Sequence, residues 1–140
     1  MASAVPFKLI TPVSVAFEGE AELVIATGTE GEVGILPKHA PFLTALRPGV
    51  TRANVRDGEG ATKRLELATG EGFLQALPDR ITMIVDVAVR ADDVDRNATR
   101  DELRAATERQ KTVGNDLAAW RREQAIIDFA NAKLRISGGA

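Results

Sequence analysis

The chain has no cysteine. Disulfides, thiolate catalysis and zinc–sulfur sites are therefore excluded. It has no apolar run near the ~20 residues that a bilayer-spanning helix needs. The opening MASAVPFKLITP has no basic segment followed by a long apolar stretch, and no Arg-rich amphipathic segment. It reads as a mature cytosolic start, without a signal or transit peptide. Neither sign of charge dominates: 18 Lys plus Arg stand against 20 Asp plus Glu, a net charge of −2. That balance makes no field for nucleic acid. There is a single histidine, His39, and no Ser or Cys nucleophile constellation around it. What remains is ordinary: 44% hydrophobic and 27% charged residues over 140 positions. Such a chain suits one domain, or one domain with an appendage, and can bury roughly two-thirds of its unfolded surface.

Proline and glycine are unevenly spread. All 6 prolines lie at or before Pro78, and 9 of the 12 glycines at or before Gly72. Residues 1–90 carry 20 charges and residues 91–140 carry 18, so the second segment is far more densely charged. The expected organisation is β first and α second, divided at about Arg90. Period 2 marks the strands. Ile81, Met83, Val85, Val87 and Val89 alternate with Thr82, Ile84, Asp86 and Ala88. Leu65 and Leu67, then Val13, Val15 and Phe17, then Leu23 and Ile25 repeat the pattern. Turn signals are Glu18-Gly19, Asp57-Gly58-Glu59-Gly60, Gly70-Glu71-Gly72 and Pro78-Asp79. Short strands at this spacing predict an antiparallel β-sandwich, two sheets covering each other's apolar faces.

Residues 95–136 read as two helices. Thr99-x-x-Glu102 fits a capping box, and Asp93 or Asp95 could cap one turn earlier. Val113-Gly114-Asn115-Asp116 reads as a stop and a restart, with Asn115 or Asp116 as the second N-cap. Helices joined so tightly form an antiparallel hairpin. The first apolar stripe is Leu103, Ala106, Gln110 and Val113; the second is Leu117, Trp120, Gln124, Ile127, Asn131 and Leu134. Amides interrupt both stripes. At ~25 cal/mol per Å2 such a seam stabilises little, so the hairpin is expected to lean on another surface. Trp120 is expected to anchor the seam.

Residues 26–49, ATGTEGEVGILPKHAPFLTALRPG, are too polar and broken for one strand and should form a shaped loop. The run Thr27–Thr44 closely resembles the signature of the epsilon-subunit family of bacterial F-type ATP synthases (delta in mitochondria). So do the opening Phe7-Lys8-Leu9-Ile10-Thr11-Pro12, Gly70-Glu71-Gly72-Phe73-Leu74 and Val85–Arg90, followed by a charged helix pair.

The resemblance implies a non-catalytic rotor subunit in the central stalk. Residues 1–90 would bind the gamma subunit and the ring of c subunits, coupling proton-driven rotation to ATP synthesis. Residues 91–140 would be a mobile hairpin that inhibits hydrolysis by reaching into the alpha/beta hexamer. The expected location is peripheral, on the cytoplasmic side of a bacterial plasma membrane. The implied partner-binding residues are Glu30, Gly31, Glu32, Gly34, Leu36, Pro37, His39, Ala40 and Pro41. Taken alone, Glu30 and Glu32 are solvated turn carboxylates, and His39 satisfies a local hydrogen bond. Regulatory contacts of the helices would come from Arg109, Arg121, Arg122, Lys133 and Arg135. Taken alone, these form a solvated face with cations suited to a helix C-terminus.

No cofactor or metal is expected; Asp92, Asp93 and Asp95 suit the start of a helix. ATP is the one candidate regulatory ligand. Some bacterial members bind it through I/L-D-x-x-R-A at the start of the first helix. The in-register stretch here is Val94-Asp95-Arg96-Asn97-Ala98-Thr99, which keeps Asp95 and loses the arginine. An offset Asp101-Glu102-Leu103-Arg104-Ala105 follows. Asp95, Asp101 and Arg104 are the residues such a site would use. There is no phosphate-cradling glycine loop. The alternatives are therefore an ATP sensor and a free-standing interaction module.

Overall fold

The computed structural model describes residues 3–138. Nine strands among these precede two helices: β1 Val5–Ile10, β2 Val15–Gly28, β3 Gly31–Ile35, β4 Phe42–Leu46, β5 Gly49–Arg56, β6 Thr62–Thr69, β7 Gly72–Leu77, β8 Arg80–Val85, β9 Ala88–Val89, α1 Arg96–Gln110 and α2 Leu117–Ile136. The strand order is β1-β8-β7-β4-β2-β5-β6-β9, with β3 also on β2 and β1 returning to β2. At 14 residues, β2 serves two sheets. Its first half pairs with β1, and its second half with β3, β4 and β5. The sheets face each other over one apolar core that includes Phe7, Leu9, Val24, Ile35, Leu67 and Met83. The β-sandwich followed by a helix pair is the expected architecture. One ladder departs from it: β1 and β8 run parallel.

Several local expectations fail, each for a physical reason. Glu18-Gly19 is no turn. It lies inside β2 opposite Phe7 and Lys8. The Phe17 ring lies over Gly19, and a Cβ there would meet the ring at 2.9 Å and push it aside. The turn falls earlier, at residues 11–14, where the Thr11 hydroxyl accepts from the Val13 and Ser14 amides. Val13 and Val15 are consequently exposed, at 92% and 52%. Leu23 and Ile25 are only half-buried, and Val24 and Ala26 take the core. A register shift between Ala21 and Leu23 reverses the phase. Ile81–Val89 is not one strand. The chain turns at Asp86 and Val87, where Asp86 N–H donates to Glu71 O and Gly70 N–H to Val87 O, each at 2.9 Å. It thereby crosses from β7 and β1 to β6. Residues 26–49 are not one loop but β3 and β4 joined by a connector at 36–41.

The capping box is replaced by the earlier alternative. Asp95 caps α1, its carboxylate accepting from Ala98 N–H at 3.0 Å. Thr99 is instead buried inside the helix and donates to Asp95 O at 2.7 Å. Asp116 caps α2 by accepting from Ala119 N–H at 3.0 Å. The amide seam is real: Gln110 Nε2 donates to Gln124 Oε1 at 2.9 Å. Trp120 is no buried anchor, being 42% exposed. Asn131 is exposed and lies toward the sandwich instead of in the seam, while buried Ala130 interrupts the expected stripe. The surface the hairpin leans on is the outer face of β5 and β6. Phe129, Ala132 and Ile136 pack there with Val50, Ala68 and Val89. Their spacing of 3 and 4 is one helix face, distinct from the stripe read from the sequence.

Candidate functional site

The tight β2–β3 hairpin presents Glu30 and Gly31 at its tip. Gly31 adopts φ 129°, a conformation that favours glycine, with nothing within 4 Å of where a Cβ would stand. Glu32 follows in β3 opposite Thr27. It is not a free carboxylate, because Arg52 of β5 reaches across β2 to it at 2.9 Å. Gly34 pairs with Ile25. The connector then carries exposed Leu36 and Ala40, half-buried Pro37 and His39, and exposed Pro41. Lys38, at φ 65°, turns the chain there. His39 Nδ1 lies 2.7 Å from Ala40 O, so it carries the proton and donates. Its ring sits 5.7 Å from Phe42, centroid to centroid. The structure thus divides the nine sequence-derived residues between a hairpin tip and a connector leading into β4.

A larger feature escaped the sequence reading. On the outer face away from α2, Val15, Ile10, Ile84, Phe73 and Ala45 occupy successive paired positions across β2, β1, β8, β7 and β4. Leu43 adjoins the row on β4. Leu43, Phe73 and Ile84 are 67%, 56% and 52% exposed. A polar row flanks it: Gln75, Thr82, Lys8 and Glu18, the last two 3.8 Å apart. Large apolar side chains on neighbouring strands, rimmed by polar ones, mark a protein contact face. The signal was present in the sequence. Ile84 stands in the polar phase of its strand, and Phe73-Leu74 and Phe42-Leu43 place apolar residues in both phases.

In the helices, Arg109 binds Glu123 through both carboxylate oxygens, Nε to Oε1 and Oε2 at 3.0 Å. This holds the Glu123 carboxyl below and the Arg109 guanidinium above its ordinary value. Lys133 meets Glu102 at 3.4 Å and lies 5.1 Å above the Phe129 ring. Arg121, Arg122 and Arg135 are exposed. Of the candidate nucleotide residues, Asp95 is the α1 cap. Asp101 and Arg104 form an exposed ion pair with each other. A further residue emerges at the open end of the hairpin, where α1 begins and α2 ends. Arg96 Nη1 donates to Leu134 O at 2.9 Å, Ser137 Oγ at 2.6 Å and Ser137 O at 3.3 Å. The first residue of α1 therefore caps the end of α2. Among the described residues, no three His, Asp or Glu side chains converge as a metal site would need. No helix among them is long and apolar enough to cross a membrane.

Residues 4–91 match the family model described as the ATP synthase Delta/Epsilon chain, beta-sandwich domain. The chain belongs to this family. The ATP synthase epsilon chain of Chromobacterium violaceum is 33% identical over 128 residues, covering 91% of this chain and 89% of that one. The epsilon chain of Xanthomonas campestris pv. campestris is 39% identical over 120 residues, covering 86% and 81%. Among solved structures, a chain of the Euglena gracilis mitochondrial ATP synthase OSCP/F1/c-ring assembly superposes with a TM-score of 0.75 at 16% identity. That match covers 94% of this chain and 79% of the other. A chain of the Tetrahymena thermophila central stalk/c-ring assembly gives 0.60 at 18%, covering 94% and 97%. At these identities the two structures bear on the fold, which they share with this epsilon-family chain.

Proposed function

We propose that this chain is a non-catalytic rotor subunit of an F-type ATP synthase. It sits in the central stalk at the cytoplasmic side of a bacterial plasma membrane. The observation that carries this reading is the bare apolar row over Ile10, Ile84 and Phe73, on the opposite face from the one α2 covers. In the assembly the gamma subunit covers that row. The hairpin tip at Glu30–Glu32 and the connector at Leu36–Pro41 meet the c-ring. Complementary charge at Glu30 and Glu32 sets orientation and register more than affinity.

The hairpin is the regulatory element. Docked, it spends Arg109 on Glu123 and Lys133 on Glu102. Extended, it frees both cations, which join Arg121, Arg122 and Arg135 in gripping an acidic segment of the alpha/beta hexamer. The core residues of the sandwich all lie between Val5 and Ala88, so residues 1–90 hold a core without the helices. The deciding experiment compares ATP hydrolysis by the assembled catalytic complex carrying the full chain with one carrying a chain stopped after Arg90. Faster hydrolysis with assembly intact supports a braking hairpin over a coupling module. Unchanged hydrolysis refutes the brake. Sub-millimolar ATP binding by calorimetry, lost in Arg104→Ala, would favour the ATP-sensor reading instead.

A further inference from the structure

The end of α2 and the turn between β4 and β5 enclose a polar cleft of about 200 Å3. Arg47 and Arg135 line it from opposite sides, one on the sandwich and one on the hairpin. The Thr27 hydroxyl-bearing side chain and the Asn131 amide complete its polar wall. Arg47 is held in place by its backbone, whose N–H donates to Thr27 O at 3.0 Å. Among the described residues neither guanidinium has a carboxylate within salt-bridge distance. Two unpaired cations facing one cleft at a docking interface repel each other. They oppose the very contact that Phe129 and Ala132 make beside them.

We infer that this cleft binds a small tetrahedral oxyanion, phosphate, which bridges Arg47 to Arg135 and staples the hairpin to the sandwich. Guanidinium groups suit phosphate because their donors meet two oxygens at once. About 200 Å3 leaves room for a free phosphate and a few waters. At the negative end of α2 the Leu134 and Lys133 carbonyls already accept from Arg96 and the Ser137 hydroxyl, and the Arg96 charge offsets the dipole there. Asp128 also lines the cleft and accepts from Gln124 Nε2 at 2.8 Å. It stands seven residues before Arg135, about 10 Å along the helix. The site concerns the docked hairpin, so its failure would leave the stalk reading untouched.

Hydrogen exchange of the full chain tests this, with sodium phosphate against sodium chloride at equal ionic strength. Phosphate should slow exchange of amides 128–136, by about 100-fold at a concentration 100 times its dissociation constant. Arg47→Gln and Arg135→Gln should each abolish that response, while Arg121→Gln keeps it. Arg47→Gln lies on the sandwich and so tests the site without altering the helix. Asp128→Asn should lower the phosphate concentration required, since it removes a repelling carboxylate. Equal protection in chloride would overturn the site. So would a phosphate response surviving in the two cleft variants, or a response to ATP without one to phosphate.

Discussion

The Arg52 guanidinium crosses the outer face of β2 to meet the Glu32 carboxylate of β3 at 2.9 Å, binding two strands that never pair with each other. An exposed pair of this kind is worth ~0–1 kcal/mol. Its consequence is orientation more than stability. Arg52→Gln should change the unfolding free energy by no more than about 0.5 kcal/mol while releasing Glu32. Glu32→Lys should weaken coupling to the ring. Unchanged proton-driven ATP synthesis in Glu32→Lys would refute a ring contact there.

Phe73→Asp should uncouple partner binding from folding. Phe73 is more than half exposed, so the thermal midpoint should hardly move. An aromatic anchor at an interface centre is worth ~2 kcal/mol or more, which is about 30-fold in affinity. Gamma-subunit binding measured by surface plasmon resonance should fall by that factor. A variant that binds normally would remove this face from the interface.

Arg96→Ala should loosen the end of the hairpin. It deletes charge-assisted donation to Leu134 O and the Ser137 oxygens, at a cost of ~1.5–3 kcal/mol. Exchange of amides near 134–137 should accelerate while sandwich amides stay protected. If all amides accelerate together, the chain unfolds as one unit and the latch has no separate role.

Asp95→Ala should cost ~1 kcal/mol of helix stability by removing the α1 cap. Glu102→Ala should cost much less, because Glu102 makes only an exposed contact to Lys133. Circular dichroism melts distinguish the two. Equal losses would reinstate the capping box that the sequence suggested.

Acid should weaken the contact between the two helices. The Arg109 hydrogen bond holds the folded-state pKa of Glu123 below its ordinary 4.5. Its contribution is therefore complete above pH 4.5 and is lost as pH falls through the folded value. Glu22, held down by Thr62 and Arg56, behaves in the same way within the sandwich. Unfolding free energy should decline below about pH 4.5, and Arg109→Gln should flatten the Glu123 share of that decline. A profile identical in the variant would deny the pair any linkage.

The division into sandwich and helices was legible in residue order alone. Proline ends at Pro78 and all but three glycines lie at or before Gly72, ahead of the stretch where Asp, Glu, Arg and Ala dominate, and backbone constraint of that kind acts locally. The Asp57–Gly60 turn is written the same way: the Asp57 carboxylate accepts from Glu59 and Ala61 N–H. The signature over Thr27–Thr44 named the family because dense glycine and proline constrain a backbone path strongly. Only the tertiary structure decided which face of each element is spoken for. Leu23 and Val24 are equally apolar, and a register shift against β5 at Ala21–Leu23 chose between them. Ile84 and Met83 are equally at home in a strand, yet Met83 is fully buried and Ile84 open to solvent. The partners of Glu32, Arg96 and Arg109 lie across sheets and helices, at separations no periodicity encodes. Sequence fixes local propensity, while register, docking and ion pairing depend on how distant segments pack, which is settled jointly and only in the folded state.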